Sequence, residues 1–212
     1  MFSSGEKFGE AEEIMSDITK RAISDSLKNL LCEKNLNKIT VQDIADDCGI
    51  NRQTFYYHFQ DIYALVEWMY QHDAVELIEK NNKAFLQGEV GTRDDWEEVI
   101  KALFNYIEEH RNEILSVINS RAMVYFSNFV YEGLRTSIKR VVDLRSKDLN
   151  IDEYYKNFIS NFYAIAFGGM VQSWLETNGA ARMSSQELMH MLNITVSGNI
   201  EAALARAANE KK

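Results

Sequence analysis

Between Gly49 and Phe59 the chain reads GINRQTFYYHF, which packs an unusual amount of hydrogen-bonding chemistry into one short stretch. Arg52 brings a guanidinium fork, Gln53 an amide that donates and accepts, Thr54 and Tyr57 hydroxyls, and His58 an imidazole. Phe55, Tyr56 and Phe59 interleave them with rings that favour burial. A core helix does not need Arg52, Gln53 and His58, and a solvated helix does not need the rings. The pattern describes an element held on one side and offering polar groups on the other.

Catalytic and metal chemistry find less support. Glu187 and His190 have the Glu-x-x-His spacing of di-iron carboxylate bundles, but such sites need a second copy and further inward glutamates. Ser184 with Glu187 reads instead as a helix-capping box. His72 and His110 have no cysteine or histidine cluster around them, so zinc sensing is not expected. There is no phosphate loop, nucleophile elbow or paired-carboxylate motif. The expectation is a protein that is not an enzyme and uses no cofactor or metal.

The elements that must position the polar stretch follow from helical periodicity. A first helix is expected from about Ser16 to Lys34, with Ile23, Leu27, Leu30 and Leu31 on one stripe, preceded by a frayed acidic arm. NLNK at 35–38 breaks it. Thr40 then caps a short helix with Asp43 at the reciprocal position, and Ile39 and Ile44 flank the cap as a hydrophobic staple. Gly49 supplies a tight turn, and Ala45 lets the helices pack closely. Asn51 caps the next helix, making Ile50 and Phe55 its staple pair, while Phe55 and Phe59 share the inward face. A long helix follows over about 61–86.

Two short helices joined by a glycine turn, the second polar on its outer face, make a helix-turn-helix, and its second helix has the width of the DNA major groove. An αα-hairpin inside a bundle, with Tyr57 and His58 merely at the surface, is the alternative reading of the same spacing. Tyr56 is read as packing, with a DNA contact as the other possibility.

The run KITVQDIADDCGINRQTFYYHFQDIYALVEW resembles the DNA-binding domain of the TetR/AcrR family of bacterial transcriptional regulators. The likeness spans about 18–66 through Thr19-Lys20, Thr40-Val41, Ile44-Ala45, Gly49 and Thr54 to Phe59. It implies that Gln53, Thr54 and Tyr57 face bases, while Lys20, Lys38, Thr40, Arg52 and His58 contact or approach phosphates. The chemistry agrees, since Gln pairs with adenine, Thr touches a thymine methyl, and Lys and Arg mostly position the backbone. Ile62 departs from the family, which usually has a phosphate-reaching lysine there.

The remaining sequence continues as helices: Thr92 and Asp95 as a capping pair before Trp96, Val99, Ile100, Leu103, Phe104 and Ile107, then stretches over about 112–146, 152–177 and 185–208. The expected fold is all-α, with about nine helices: a three-helix DNA-binding domain at 1–66, including the acidic arm, and a helical effector-binding and dimerisation domain at 67–212. YAIAFGGMVQSWLETNG at 163–179 resembles the penultimate helix of some family members, whose last helices commonly form a four-helix dimer interface. Leu188, Leu192, Thr195, Asn199 and Ala202 trace a stripe on the last helix. A bundle seam within one subunit would give the same stripe.

Among the dense body aromatics, Phe104, Tyr125, Phe129, Phe158, Phe162, Tyr163 and Trp174 are the candidates for touching a ligand, against the plainer reading that they are core. The wording QTFYYHFQDIYALVEW also resembles regulators of dihydroxyacetone kinase operons, which implies an activator working with a co-activator protein. The expected partners are therefore an operator in double-stranded DNA, a second copy of the chain, and a small-molecule effector or a co-activator.

Composition is compatible with each of these. The 212 residues suffice for a sizeable core, with 46% hydrophobic and 26% charged residues. The net charge of −9 requires any DNA-binding face to be local. No apolar run is long enough to span a bilayer and no signal-peptide pattern opens the chain, so no membrane partner is expected and the chain is expected to stay in the cytoplasm. Cys32 and Cys48 are expected to be small buried apolar side chains. A protein-interaction bundle that does not bind DNA is the rival class.

Overall fold

A computed structural model describes residues 4–81, 93–177, 179, 183–196 and 198–209. All of their regular secondary structure is helical. The elements are α1 (Ser4–Glu33), a 3-10 turn (Leu36–Lys38), α2 (Val41–Cys48), α3 (Arg52–His58) and α4 (Ile62–Asn81). They continue with α5 (Arg93–Glu109), α6 (Arg111–Ile118), α7 (Met123–Arg145), α8 (Glu153–Glu176), α9 (Ser185–Val196) and α10 (Asn199–Asn209). None of the described helices is long and apolar enough to cross a membrane.

The expected boundaries hold where a local cap sets them. Thr40 Oγ1 accepts from the Asp43 N–H at 3.1 Å, and Asp43 Oδ2 accepts from the Thr40 N–H at 2.7 Å. Asp152 caps α8, and Ser184 with Glu187 forms the expected box at α9. Three expectations give way. The acidic arm is not frayed, because α1 already starts at Ser4. The stretch from 112 to 146 is broken after Ile118, where Ser120 Oγ donates to the Val117 carbonyl and accepts from the Ala122 N–H. A serine that satisfies backbone groups in this way offers the chain an alternative to the helical ladder. The stretch from 185 to 208 bends at Gly198, whose φ of 77° is left-handed and ends one helix before Asn199 opens the next. The Thr92–Asp95 pair and the side chains of Trp96, Val99 and Ile100 lie outside the described residues.

The chain divides into two compact units whose membership follows packing rather than sequence order. One unit contains Met1–Gln71 together with Asn112–Tyr125, and the other His72–Arg111 together with Phe126–Lys212. A boundary drawn from the motif alone falls near residue 66. It omits Met69 and Tyr70, both buried, and the apolar face of α6 formed by Ile114, Val117 and Ile118. In the first unit Ile23, Leu27, Ile44, Phe55 and Leu65 have no exposed surface. The core of the second gathers Phe104, Ile107, Ile138, Phe167, Trp174, Leu175 and Leu204. There α9 packs on α5, and α10 packs on α8.

Candidate nucleic-acid interface

The helix that carries the polar stretch is short, so its position depends on what holds its two ends. Asn51 Oδ1 accepts from the Thr54 N–H at 2.8 Å and fixes the start of α3. Gly49 precedes it with φ 70° and closes α2, its N–H bonding back to the Asp46 carbonyl at 3.3 Å. A left-handed residue at that point reverses the chain within one turn, which a side chain with a Cβ resists. The Ile50 N–H reaches the Ala45 carbonyl at 2.9 Å, and Ala45 is fully buried where the helices meet.

Phe55 is the anchor. It has no exposed surface and lies 5.9 Å from Phe59, ring centre to ring centre. Phe59 in turn meets the edge of Trp68 on α4 at 5.9 Å. This interlock fixes the rotation of α3 about its own axis. With Phe55 inward, Arg52, Gln53 and Tyr57 are exposed, and Tyr57 has 83% of its surface in solvent. Thr54 and His58 are partly covered.

The cap also selects which part of Thr54 is available. Its hydroxyl donates to Asn51 Oδ1 at 3.1 Å, which commits the proton and leaves the methyl for an outside partner. Tyr56 is packed on one side and open on the other. Its ring packs edge-on against Phe55 at 5.6 Å, yet 49% of the residue is exposed. The Arg52 guanidinium lies over that ring at 5.9 Å, a contact that orders Arg52 on the open side.

The other expected DNA contacts come from elsewhere in the same unit. Lys20 sits on α1, partly covered, and its charge reaches His58. Lys38 ends the 3-10 turn and Thr40 caps α2, both exposed. Ile62 opens α4, and no lysine or arginine follows it in the run Ile62-Tyr63-Ala64-Leu65, so the usual family cation has no substitute on that turn.

Two supporting contacts had no clear signature in the sequence. Ser26, buried on α1, donates from Oγ to the Ile44 carbonyl at 3.2 Å and ties the first helix to the second. Its position one turn before Leu30 on the apolar stripe was the available signal. Lys34 pairs with Asp43 Oδ1 at 3.0 Å. The Thr40 hydroxyl, the Thr40 N–H and the Lys34 ammonium together lower the Asp43 carboxyl to about 2, so it remains an ionised cap.

The body aromatics do not converge on one place. Phe104 and Trp174 meet edge-to-face at 5.3 Å inside the second unit, and the Trp174 indole N–H donates to the Met183 carbonyl at 2.7 Å. Phe129 meets Tyr106 in a tilted ring pair at 5.7 Å, and Tyr163 meets Phe167 in another at 5.9 Å. Phe158 and Phe162 point outward, 59% and 57% exposed, while Tyr125 belongs to the first unit and is partly covered. A cavity of about 290 Å³ opens between α7 and α8, lined by Phe126, Val130, Tyr131, Ala164, Gly168 and Gln172 among others. None of the expected ligand-touching aromatics lines it. Of the expected buried cysteines, Cys32 is exposed and Cys48 partly covered. Among the described residues no group of three potential metal ligands occurs.

Helical described residues with a capped helix-turn-helix and a polar second helix are the arrangement of the DNA-binding regulator class. Residues 23–69 match the family model described as bacterial regulatory proteins of the tetR family, and residues 94–198 match one described as a transcriptional regulator C-terminal region. The chain belongs to the TetR family of transcriptional regulators and is not an enzyme. A similar sequence is the HTH-type dhaKLM operon transcriptional activator DhaS of Lactococcus lactis, 25% identical over 174 residues, which cover 81% of this chain and 87% of the relative. Among solved structures, Dihydroxyacetone kinase operon activator DhaS is similar with a TM-score of 0.66 at 22% identity, covering 87% of this chain and 97% of that one. A TetR transcriptional regulator from Streptococcus agalactiae gives 0.56 at 20% identity, covering 89% and 98%.

His58 allows a direct check of this geometry. Its partial burial, and secondarily the Lys20 charge, lower its pKa below the usual 6.5, so the ring is neutral at pH 7 in the free protein. An imidazole titration followed by NMR should show His58 protonating only below that value. Lys20→Ala should move it only part of the way back, because burial is the larger cause. An unshifted His58 would contradict the packing described here.

Proposed function

We propose that this regulator is a homodimer whose paired α3 helices read a palindromic operator, with Gln53, Thr54 and Tyr57 facing bases. In this reading Lys20, Lys38, Thr40, Arg52 and His58 serve the phosphate backbone. The carrying observation is the contrast along a two-turn helix between fully buried Phe55 and Tyr57 at 83% exposure. An αα-hairpin with no partner has no use for a large, open ring beside an amide and a guanidinium. The net charge of −9 supports binding through a few placed cations rather than a general attraction to polyanions.

Thr54→Ala and Tyr57→Ala should each weaken specific operator binding by about 1–3 kcal/mol with helicity intact. Lys20→Ala should weaken all sequences alike and reduce the salt slope by about one unit. Anisotropy titrations over a salt series separate the two behaviours. Normal operator binding by Tyr57→Ala would end the base-facing assignment.

Support for a dimer comes from apolar surface that a lone subunit leaves in water. On α8, Phe158, Phe162 and Ile165 are 59%, 57% and 64% exposed, and on α9 Met191 and Ile194 are 52% and 64% exposed. Exposed apolar rows of this kind mark association surfaces. Gly169 lies one turn beyond Ile165, and a Cβ built there meets nothing within 4 Å. Gly169→Glu should therefore fold normally as a subunit yet lose the dimer, because association would bury an unpaired carboxylate. Light scattering at micromolar concentration reads the result, and a monomeric wild type would overturn the proposal.

For the signal, two readings are carried. One is a small-molecule effector, for which the cavity between α7 and α8 offers Ser127, Tyr131 and Gln172 among apolar walls and shares Ile165 and Gly169 with the proposed dimer face. The other is an activator of a dihydroxyacetone-utilisation operon working with a co-activator protein, favoured by the likeness to DhaS. In either, α4 is the connecting element, since its residues belong to the first unit up to Gln71 and to the second from His72. A metabolite should raise the melting temperature of the isolated protein and change operator affinity through a coupling of about 1–3 kcal/mol. A co-activator should instead co-purify from the native host and retard the protein–DNA complex further in a gel. Operator affinity that responded to neither would leave a constitutive regulator.

A further inference from the structure

The turn between α1 and α2 is held from far away in the sequence. Leu36 opens the 3-10 turn, so its N–H has no acceptor within the turn, and Asn35 at the cap position supplies no side-chain bond. The N–H donates instead to Ser116 Oγ on α6, at 2.7 Å across 80 residues of chain. Leu36 is 3% exposed and Ser116 7% exposed, so water is a poor substitute for that acceptor. One helical turn earlier, Glu113 Oε1 accepts from Cys32 Sγ in the last turn of α1 at 3.4 Å. The same short helix buries Ile114, Val117 and Ile118.

What this bond fixes is specific. From Leu36 the chain has little freedom, because the Lys38 N–H bonds the Asn35 carbonyl at 2.8 Å and the Ile39 N–H bonds the Leu36 carbonyl at 3.0 Å. Ile39 is then buried, and Thr40 caps α2. Lys38 and Thr40, both exposed, are thus set by a rigid turn whose first N–H is fastened by Ser116. The geometry points to Ser116 as a positioning residue for DNA binding, acting through the 3-10 turn that presents Lys38 and Thr40. It lies outside residues 23–69, the span matched by the tetR-family model. The inference rests on the reading that Lys38 and Thr40 contact phosphates.

The test uses the full chain and an operator duplex, with anisotropy over a salt series for wild type, Ser116→Ala, Lys38→Ala and the double variant. Hydrogen exchange at the Leu36 amide is followed in parallel. Ser116→Ala should speed exchange at Leu36, weaken binding about three- to tenfold, and flatten the salt slope by about one unit as Lys38→Ala does. The double variant should be weaker than Lys38→Ala by less than the loss that Ser116→Ala causes alone, since the two substitutions share the Lys38 contact. Ser116→Thr, which keeps the hydroxyl, should retain the wild-type slope. Ser116→Cys, close in shape but a weak acceptor, takes the place of Ser116→Ala if the latter does not fold. Unchanged affinity and slope in Ser116→Ala, even with a lower melting temperature, would overturn the proposal while Lys38→Ala still showed its loss. Losses that simply add would overturn it as well, by placing Ser116 on a different route. A Lys38→Ala protein with the wild-type slope would remove the phosphate reading itself, and this inference with it.

Discussion

Burial of Phe55 is the constraint on which the placement of α3 depends. A seven-residue helix has little stability of its own, so packing must supply what propensity cannot. Phe55 and Phe59 fall on one face at a spacing of four residues, and the rings of Tyr56 and Trp68 close around them. Once that face is committed, helical geometry leaves no freedom in where Gln53, Thr54 and Tyr57 point. The polar face of α3 is therefore the reverse side of a core contact. Asn51 and Gly49 matter because they let the chain arrive at that contact in the correct direction.

Electrostatics in this unit are local and economical. Asp43 serves at once as the reciprocal cap of α2 and as the partner of Lys34, which keeps an acidic group bonded beside Lys38 and Thr40. Its depressed pKa means that it remains a carboxylate, so its contribution to folding is present above the ordinary carboxylate range and is lost only as pH falls toward about 2. His58 behaves in the opposite sense. Neutral at pH 7 beside Lys20, it adds no like charge to the lysine in the free protein, yet it remains able to donate a hydrogen bond. Positive charge in this part of a chain of net charge −9 therefore comes from its lysines and Arg52 and not from His58.

In the body, small residues and aromatics take separate roles. Phe104, Phe167 and Trp174 fill the core, whereas Phe158 and Phe162 are held outward on the row that leads to Gly169. Arg111 stabilises the end of α8 by donating to the Leu175 and Thr177 carbonyls at 2.9 and 3.2 Å, supplying partners that a helix C-terminus otherwise lacks. An open face built on a helix whose end is fixed in this way is a firm surface rather than a loose one, which suits a contact between proteins.

How far the sequence reaches is set by the range of the interactions. Thr40–Asp43, Asn51, Gly49, the Phe55–Phe59 pair and the Ser184–Glu187 box were legible because each acts within about four residues, the reach of one helical turn. The polar face of α3 followed from them by periodicity alone. What had no local signature was decided by contacts between residues distant in the chain. Ser116 looks like any serine on an amphipathic helix until Leu36 is brought against it. The aromatic residues of the body share one composition signal, and only packing sorts Phe104 into the core and Phe158 onto the surface. The breaks at Ser120 and Gly198 lie between these cases. Each has a local cause, but a serine or glycine within a periodic stretch is tolerated as often as it ends one, and the surrounding structure makes the choice.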